Sequence, residues 1–156
     1  MSGNGITVFL VDDHQAIVEG LMALAGQDPC IRVVGQCNNG TEAPCRVQAV
    51  RPTVLVLDIS LPGLNGLDVC RLVKEAVPAT AVLMLTMYAS EQCVLGAVRN
   101  GAVGYVTKDS AAVEFCPAVH AVSRGGVYFG QGIPPNMMER LRGEPGVARA
   151  CETGAA

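Results

Sequence analysis

Four apolar runs in this chain each lead into a side chain suited to handling a phosphoryl group or a hard cation. Residues 6–11 stop at Asp12 and Asp13, 53–57 at Asp58, 81–85 at Thr86, and 103–106 run on to Lys108. In an open parallel sheet the C-terminal strand ends lie along one edge, and ligands bind in the crevice outside it. If the four runs are parallel strands, three carboxylates, a hydroxyl and an ammonium converge there. One topological choice therefore fixes both the fold class and the chemistry.

The rest of the pattern supplies the helices such a sheet needs. Strand and helix signals alternate to about residue 124, the order of an α/β domain with helices on both sheet faces. The spacing predicts helices over 15–24, from the Asn38-Asn39-Gly40 turn to residue 50, and over 67–76, 91–99 and 111–123, with a short second strand over 32–36. Pro44 falls in the first turn of the second helix, where a missing amide hydrogen costs little. Thr53-Val54-Leu55-Val56-Leu57 is the most continuous apolar strand. It predicts the sheet centre, because strands covered on both faces are apolar throughout. After Gly125-Gly126 the alternation lapses, with a short helix expected over 136–141 and linker-like composition over 143–156. The expected division is a domain over 1–124 and a linker over 125–156.

Asp12 and Asp13 would point to opposite faces of a regular strand, but at a strand end both reach the crevice rim. With Asp58 beside them, three like charges raise one another's pKa until a cation joins them. Oxygen donors, few of them from protein, favour Mg²⁺, which keeps several waters and leaves room for a phosphate oxygen. Asp58 is the candidate nucleophile, forming an aspartyl phosphate. Such transfers depend on in-line positioning and on charge neutralisation, here by Mg²⁺ and Lys108. Taken singly each residue has a plainer role, since aspartates cap helices and lysines after strands are ordinarily at the surface. Only their convergence argues for chemistry. His14 is expected to open the first helix, and His120 to serve a surface or packing role with no partner legible in the sequence.

Composition excludes several other functions. A chain of 156 residues, 50% hydrophobic with mean hydropathy +0.36, supports one domain with a real core. No apolar stretch approaches the ~20 residues of a bilayer crossing, and no basic region precedes the first apolar run, so a cytoplasmic location is expected. A net charge of −3 and a pI near 5.3 give no broad basic surface for DNA phosphates. The seven cysteines form an odd set without a C-x-x-C pair or a histidine at zinc-ligand spacing. They read as reduced thiols, mostly small buried hydrophobes, with Cys151 in the polar tail the most exposed.

Val11-Asp12-Asp13-His14, Leu57-Asp58-Ile59-Ser60-Leu61-Pro62-Gly63, Leu83-Met84-Leu85-Thr86 and Gly104-Tyr105-Val106-Thr107-Lys108-Asp109 together resemble the receiver domain of bacterial two-component response regulators. The resemblance covers about 6–124 and implies a flavodoxin-like, doubly wound, five-stranded parallel sheet of (βα)5 type. It implies that Asp58 accepts phosphate from a histidine kinase, and that Asp13, Asp58 and the Ser60 carbonyl bind Mg²⁺. Asp12 would hold a metal water, Lys108 would pair with the phosphoryl group, and Thr86 and Tyr105 would form a switch pair. The switch has a physical basis: a phosphate of about −2 charge draws the Thr86 hydroxyl inward, vacating space that a half-buried Tyr105 ring then fills.

Leu85-Thr86-Met87-Tyr88 and Thr107-Lys108-Asp109 are similar to the NarL/FixJ subfamily, although Met87 and Tyr88 are bulky beside the phosphate site. In that subfamily a linker and a LuxR-type helix-turn-helix output domain follow, and Gly125-Gly126-Val127-Tyr128-Phe129 resembles the start of the linker. The expectation is a transcriptional regulator's receiver, excised from its DNA-binding output, with a stand-alone receiver in a phosphorelay as the alternative. DNA contact would come only through the absent output domain. Such a receiver is a phosphoacceptor with self-catalysed phosphorylation and dephosphorylation rather than an enzyme. Homodimerisation is expected through the fourth helix, fifth strand and fifth helix, about 90–124. Two rivals fit less well. An aspartyl-phosphate phosphatase of the haloacid-dehalogenase type wants an acid where Ser60 stands, and a flavodoxin-like cofactor binder wants a phosphate-cradling loop in place of Asp12-Asp13.

Overall fold

The computed structural model of the protein describes residues 5–87 and 89–147; Tyr88 and Cys151 lie outside them. Six parallel strands form one sheet in the order β2-β1-β3-β4-β5-β6. They are β1 (Ile6–Val11), β2 (Ile31–Cys37), β3 (Val54–Leu57), β4 (Ala81–Thr86), β5 (Gly104–Thr107) and β6 (Tyr128–Phe129). The helices are α1 (Gln15–Gly26), α2 (Ala43–Val50), α3 (Gly66–Ala76), α4 (Glu91–Arg99), α5 (Ala111–Ser123) and α6 (Pro135–Arg142). Strand order reverses between β1 and β3, which makes their C-terminal ends the switch point of the sheet.

Strand periodicity divides the core in two. Phe9 and Val11, Leu55 and Leu57, and Val82 and Met84 pack in one core with α2, α3, α4 and α6. Their alternates Val8 and Leu10, Val54 and Val56, and Leu83 and Leu85 pack in the other with α1 and α5. Every residue of β3 is buried, as its unbroken apolar run requires of a central strand. Each such Leu or Val contributes ~1.5–3 kcal/mol on full burial. Helix starts follow local chemistry: Asn65 accepts from the Asp68 amide at 3.1 Å and Ser90 from the Cys93 amide at 3.2 Å.

The five expected strand–helix units are present, and the chain beyond them is more structured than a linker. Tyr128 and Phe129 add a sixth strand in register with Gly104 and Tyr105 of β5. Buried Glu114 on α5 fastens this segment, accepting from the Tyr128 hydroxyl at 3.1 Å and the Gln131 amide at 3.0 Å. Next, α6 lies against α4, with Ile133, Met137 and Leu141 in the core and ion pairs Arg99–Glu144 and Arg140–Glu91 at the rim. A two-residue strand carries too little periodicity to stand out in a sequence.

Candidate functional site

Three strand ends build the site. Asp12 directly follows β1 and Asp58 directly follows β3. Their amides continue the sheet ladder, donating to the Cys37 carbonyl at 3.1 Å and to the Val11 carbonyl at 3.0 Å. Lys108 follows β5 as the first residue of a one-turn 3-10 helix, Lys108–Ser110. All three side chains are buried, with Asp58 2% exposed. Gly66, the first residue of α3, holds the β3–α3 loop in place. Its amide donates to the Ile59 carbonyl at 2.7 Å, and a Cβ there would collide with the Asp58 and Ile59 backbone.

The Lys108 ammonium bridges the two buried acids, with Nζ 3.1 Å from Asp58 Oδ2 and 2.9 Å from Asp12 Oδ2. The contact to Asp12 is ionic only: Asp12 Oδ2 is buried without a hydrogen-bond partner. The Ser60 amide donates to Asp58 Oδ1 at 3.2 Å. Burial raises the Asp58 carboxyl above its ordinary pKa and the neighbouring Asp12 charge adds to this, against the lowering effect of Lys108. The pocket is therefore short of positive charge. Asp12, Asp13, His14 and Asp58 each place one ligand atom within 4.8 Å of the others.

This donor set fits a hard divalent cation. Mg²⁺ would relieve the raised Asp58 carboxyl, and a water bound to it would supply the donor that Asp12 Oδ2 lacks. His14 holds the N-cap position of α1, as expected, but its ring also turns into the pocket. Nδ1 lies 3.0 Å from Asp12, 3.3 Å from Asp13 and 3.1 Å from Lys108 Nζ. That position was not legible in the sequence, where a histidine after an acidic pair reads simply as the start of a helix. Its side chain is half exposed, which leaves the ring a route out to solvent.

Thr86 ends β4 beside the site, buried and on the same sheet face as Tyr105 of the neighbouring strand. Burial pushes the Tyr105 phenol far above its ordinary pKa. The expectation of a half-buried ring needs correction: Tyr105 is fully buried, sharing its core with Val94 and Ala97 of α4 and with Ile133. The segment carrying β6 closes over β5, with the Gly130 amide donating to the Tyr105 carbonyl at 3.0 Å. Met87 is exposed beside this pair. His120 also departs from expectation, because its Nε2 lies 2.8 Å from Asp28 Oδ2 at the opposite edge of the sheet. No local pattern joins residues that far apart in the chain.

Comparison with known proteins agrees with this geometry. The response regulator receiver domain family matches residues 8–120. The chain is 41% identical over 138 residues to the DNA-binding transcriptional activator DevR/DosR of Mycobacterium tuberculosis, covering 88% of this chain and 64% of that protein. It is 32% identical to the transcriptional regulatory protein MctR of Rhizobium johnstonii, covering 82% of this chain and 60% of that one. The chain thus spans about three fifths of the length of these curated relatives. Among solved structures, a LuxR-family two-component response regulator from Aurantimonas sp. SI85-9A1 superposes with a TM-score of 0.78 at 29% identity, covering 88% of this chain and 95% of that one. The receiver domain of the putative response regulator NarL from Mycobacterium tuberculosis gives 0.75 at 30% identity, covering 78% and 98%. Sheet order, strand-end pocket and family match lead to one conclusion: the chain belongs to the receiver domain family of two-component response regulators, of the NarL/LuxR type.

Proposed function

We propose that Asp58 is the phosphoacceptor, taking a phosphoryl group from a histidine kinase. The observation that carries this reading is a carboxylate buried at the end of the central strand, 3.1 Å from a buried ammonium that it shares with a second buried acid, Asp12. In the step, an Asp58 oxygen attacks phosphorus as the bond to the donor imidazole breaks, leaving an aspartyl phosphate and a neutral imidazole after proton adjustment. Lys108 moves from pairing Asp58 to pairing a phosphoryl oxygen. Asp13, Asp58 and the Ser60 carbonyl would hold Mg²⁺, with Asp12 accepting from a metal-bound water. Mg²⁺ supplies neutralisation of the charge that develops on the transferring group. For this, His14 must leave the acids, and its half-exposed ring is free to do so.

Thr86 reaches toward the phosphoryl group and away from its neighbour Tyr105 on the same sheet face, so the signal leaves through β4, β5 and α4. That separation is the readout, because the Tyr105 ring is already inside. Turnover is limited to self-catalysed phosphorylation and dephosphorylation. The output is transcriptional, through a DNA-binding domain; DevR/DosR is a DNA-binding transcriptional activator and MctR a transcriptional regulatory protein. Cytoplasmic location follows from that role. Dimerisation through α4, β5 and α5 would first require α6 to leave α4.

Beryllofluoride, an aspartyl-phosphate mimic, tests the reading by thermal shift. Stabilisation of the wild type only when Mg²⁺ is present, and none for Asp58→Asn, is the expected result. Mg²⁺-dependent stabilisation of Asp58→Asn by beryllofluoride would overturn it.

A further inference from the structure

The opposite edge of the sheet gathers a second cluster, of different chemistry. Asp28 and Cys30 stand in the turn between α1 and β2, and His120 stands on α5. A carboxylate oxygen, a thiol sulfur and an imidazole nitrogen from these residues all lie within 4.8 Å of one another. The turn is preorganised: the Cys30 amide donates to Asp28 Oδ1 at 2.9 Å, leaving Oδ2 to meet His120 Nε2 at 2.8 Å. A cavity of about 320 Å³, lined in part by Cys30, His120 and Ser123, opens beside them. Cys30 is exposed, and the His120 side chain keeps 29% exposure, so an ion has a path in.

We propose that Asp28, Cys30 and His120 form a binding site for a borderline-soft divalent metal ion of the Zn²⁺ type. The donor set decides the ion. Thiolate and imidazole select Zn²⁺ or its neighbours over Mg²⁺, whereas the oxygen-rich pocket at the other edge selects the reverse. Zn²⁺ bonds of ~2.0–2.3 Å place tetrahedral ligand atoms roughly 3.3–3.8 Å apart, so the Asp28–His120 contact opens by less than an ångström or so while the sulfur closes in. On binding, the Cys30 thiol releases its proton to solvent and His120 presents an unprotonated Nε2. Water fills the fourth position. Cys116 lies one turn before His120 on α5, but its sulfur is turned to the Leu24 carbonyl at 3.7 Å and is not a ligand. The ion would tie the turn after α1 to α5, reinforcing the apolar contacts, the Cys116–Leu24 contact and the Asp28–His120 pair that already join them.

Co²⁺ serves as the spectroscopic probe, on the full chain held reduced and in excess Mg²⁺. One equivalent should give a thiolate-to-cobalt charge-transfer band in the near ultraviolet, bleached by stoichiometric Zn²⁺. The band should vanish in Cys30→Ser, bind Co²⁺ at least about tenfold more weakly in His120→Gln, and persist in Cys116→Ser and Asp58→Asn. Absence of the band in the wild type, its survival in Cys30→Ser, or its loss in Cys116→Ser would overturn the proposal. Beryllofluoride binding at Asp58, unchanged in Cys30→Ser, shows that this variant is folded and keeps failure here distinct from failure of the phosphoacceptor reading.

Discussion

The two edges of one sheet collect ionisable side chains in opposite ways. At the C-terminal edge, Asp12, Asp58 and Lys108 are buried, directly follow strands and share one charge network. At the N-terminal edge, Asp28 and His120 are partly exposed, come from a turn and a helix, and meet as one pair. The first arrangement costs desolvation, visible in the raised Asp58 carboxyl. Asp28 lies below its ordinary pKa, chiefly through the Cys30 amide and then through His120. A phosphoacceptor needs the strained edge, because charge that is poorly neutralised at rest is what a cation and a phosphoryl group can relieve.

The comparison predicts unequal costs for breaking each edge. Lys108→Ala should have the largest effect, losing ~3–5 kcal/mol at neutral pH because two buried carboxylates lose their counter-charge. Denaturant melts should detect it, and saturating Mg²⁺ should restore part of the loss. Mg²⁺ affinity itself should stay near normal or rise, unlike in Asp13→Ala, where it should fall along with phosphorylation. Equal loss of Mg²⁺ binding in both variants would merge roles that are here kept apart. Gly66→Ala comes next, at about 2 kcal/mol, since its Cβ has nowhere to go but into the backbone of Asp58 and Ile59. Labelling by acetyl phosphate should slow in this variant although no pocket side chain changes.

Asp58→Asn should instead stabilise the resting protein. A carboxyl whose folded pKa lies above its unfolded value makes the native state hold its proton more tightly. Its penalty is thus fully present above the raised value and absent below the ordinary carboxylate range. The variant should melt ~2–4 °C higher at pH 7, about 1 kcal/mol, and the gain should shrink as pH falls through that window. Smallest is His120→Gln, below ~1 kcal/mol because the pair is partly exposed, with phosphorylation unchanged. Asp28 contributes above the ordinary carboxylate range and loses its contribution as pH falls through its lowered value. Variant and wild type should therefore converge in acid.

The contrast between edges also governs what the sequence could reveal. Asp12, Asp58, Thr86 and Lys108 are legible because each closes or closely follows an apolar run, so topology alone brings them together. His120 and Asp28 sit at unremarkable places in a helix and a turn, and only tertiary packing joins them. The full burial of Tyr105 escaped for a related reason: the strand that closes over β5 is two residues long, fastened by Glu114 on α5. His14 opens α1 as its place in the sequence implies, but a helix-opening backbone says nothing of where its ring turns.

The central claim is that phosphoryl transfer ends on Asp58 and nowhere else in the charged network. Borohydride reduction converts an aspartyl phosphate to homoserine and marks the carboxylate that carried it. After acetyl phosphate and Mg²⁺, peptide mass spectrometry of the reduced wild type should find homoserine at position 58 alone. Homoserine at position 12 or 13, or a stable phosphoryl group retained on His14, would contradict the account.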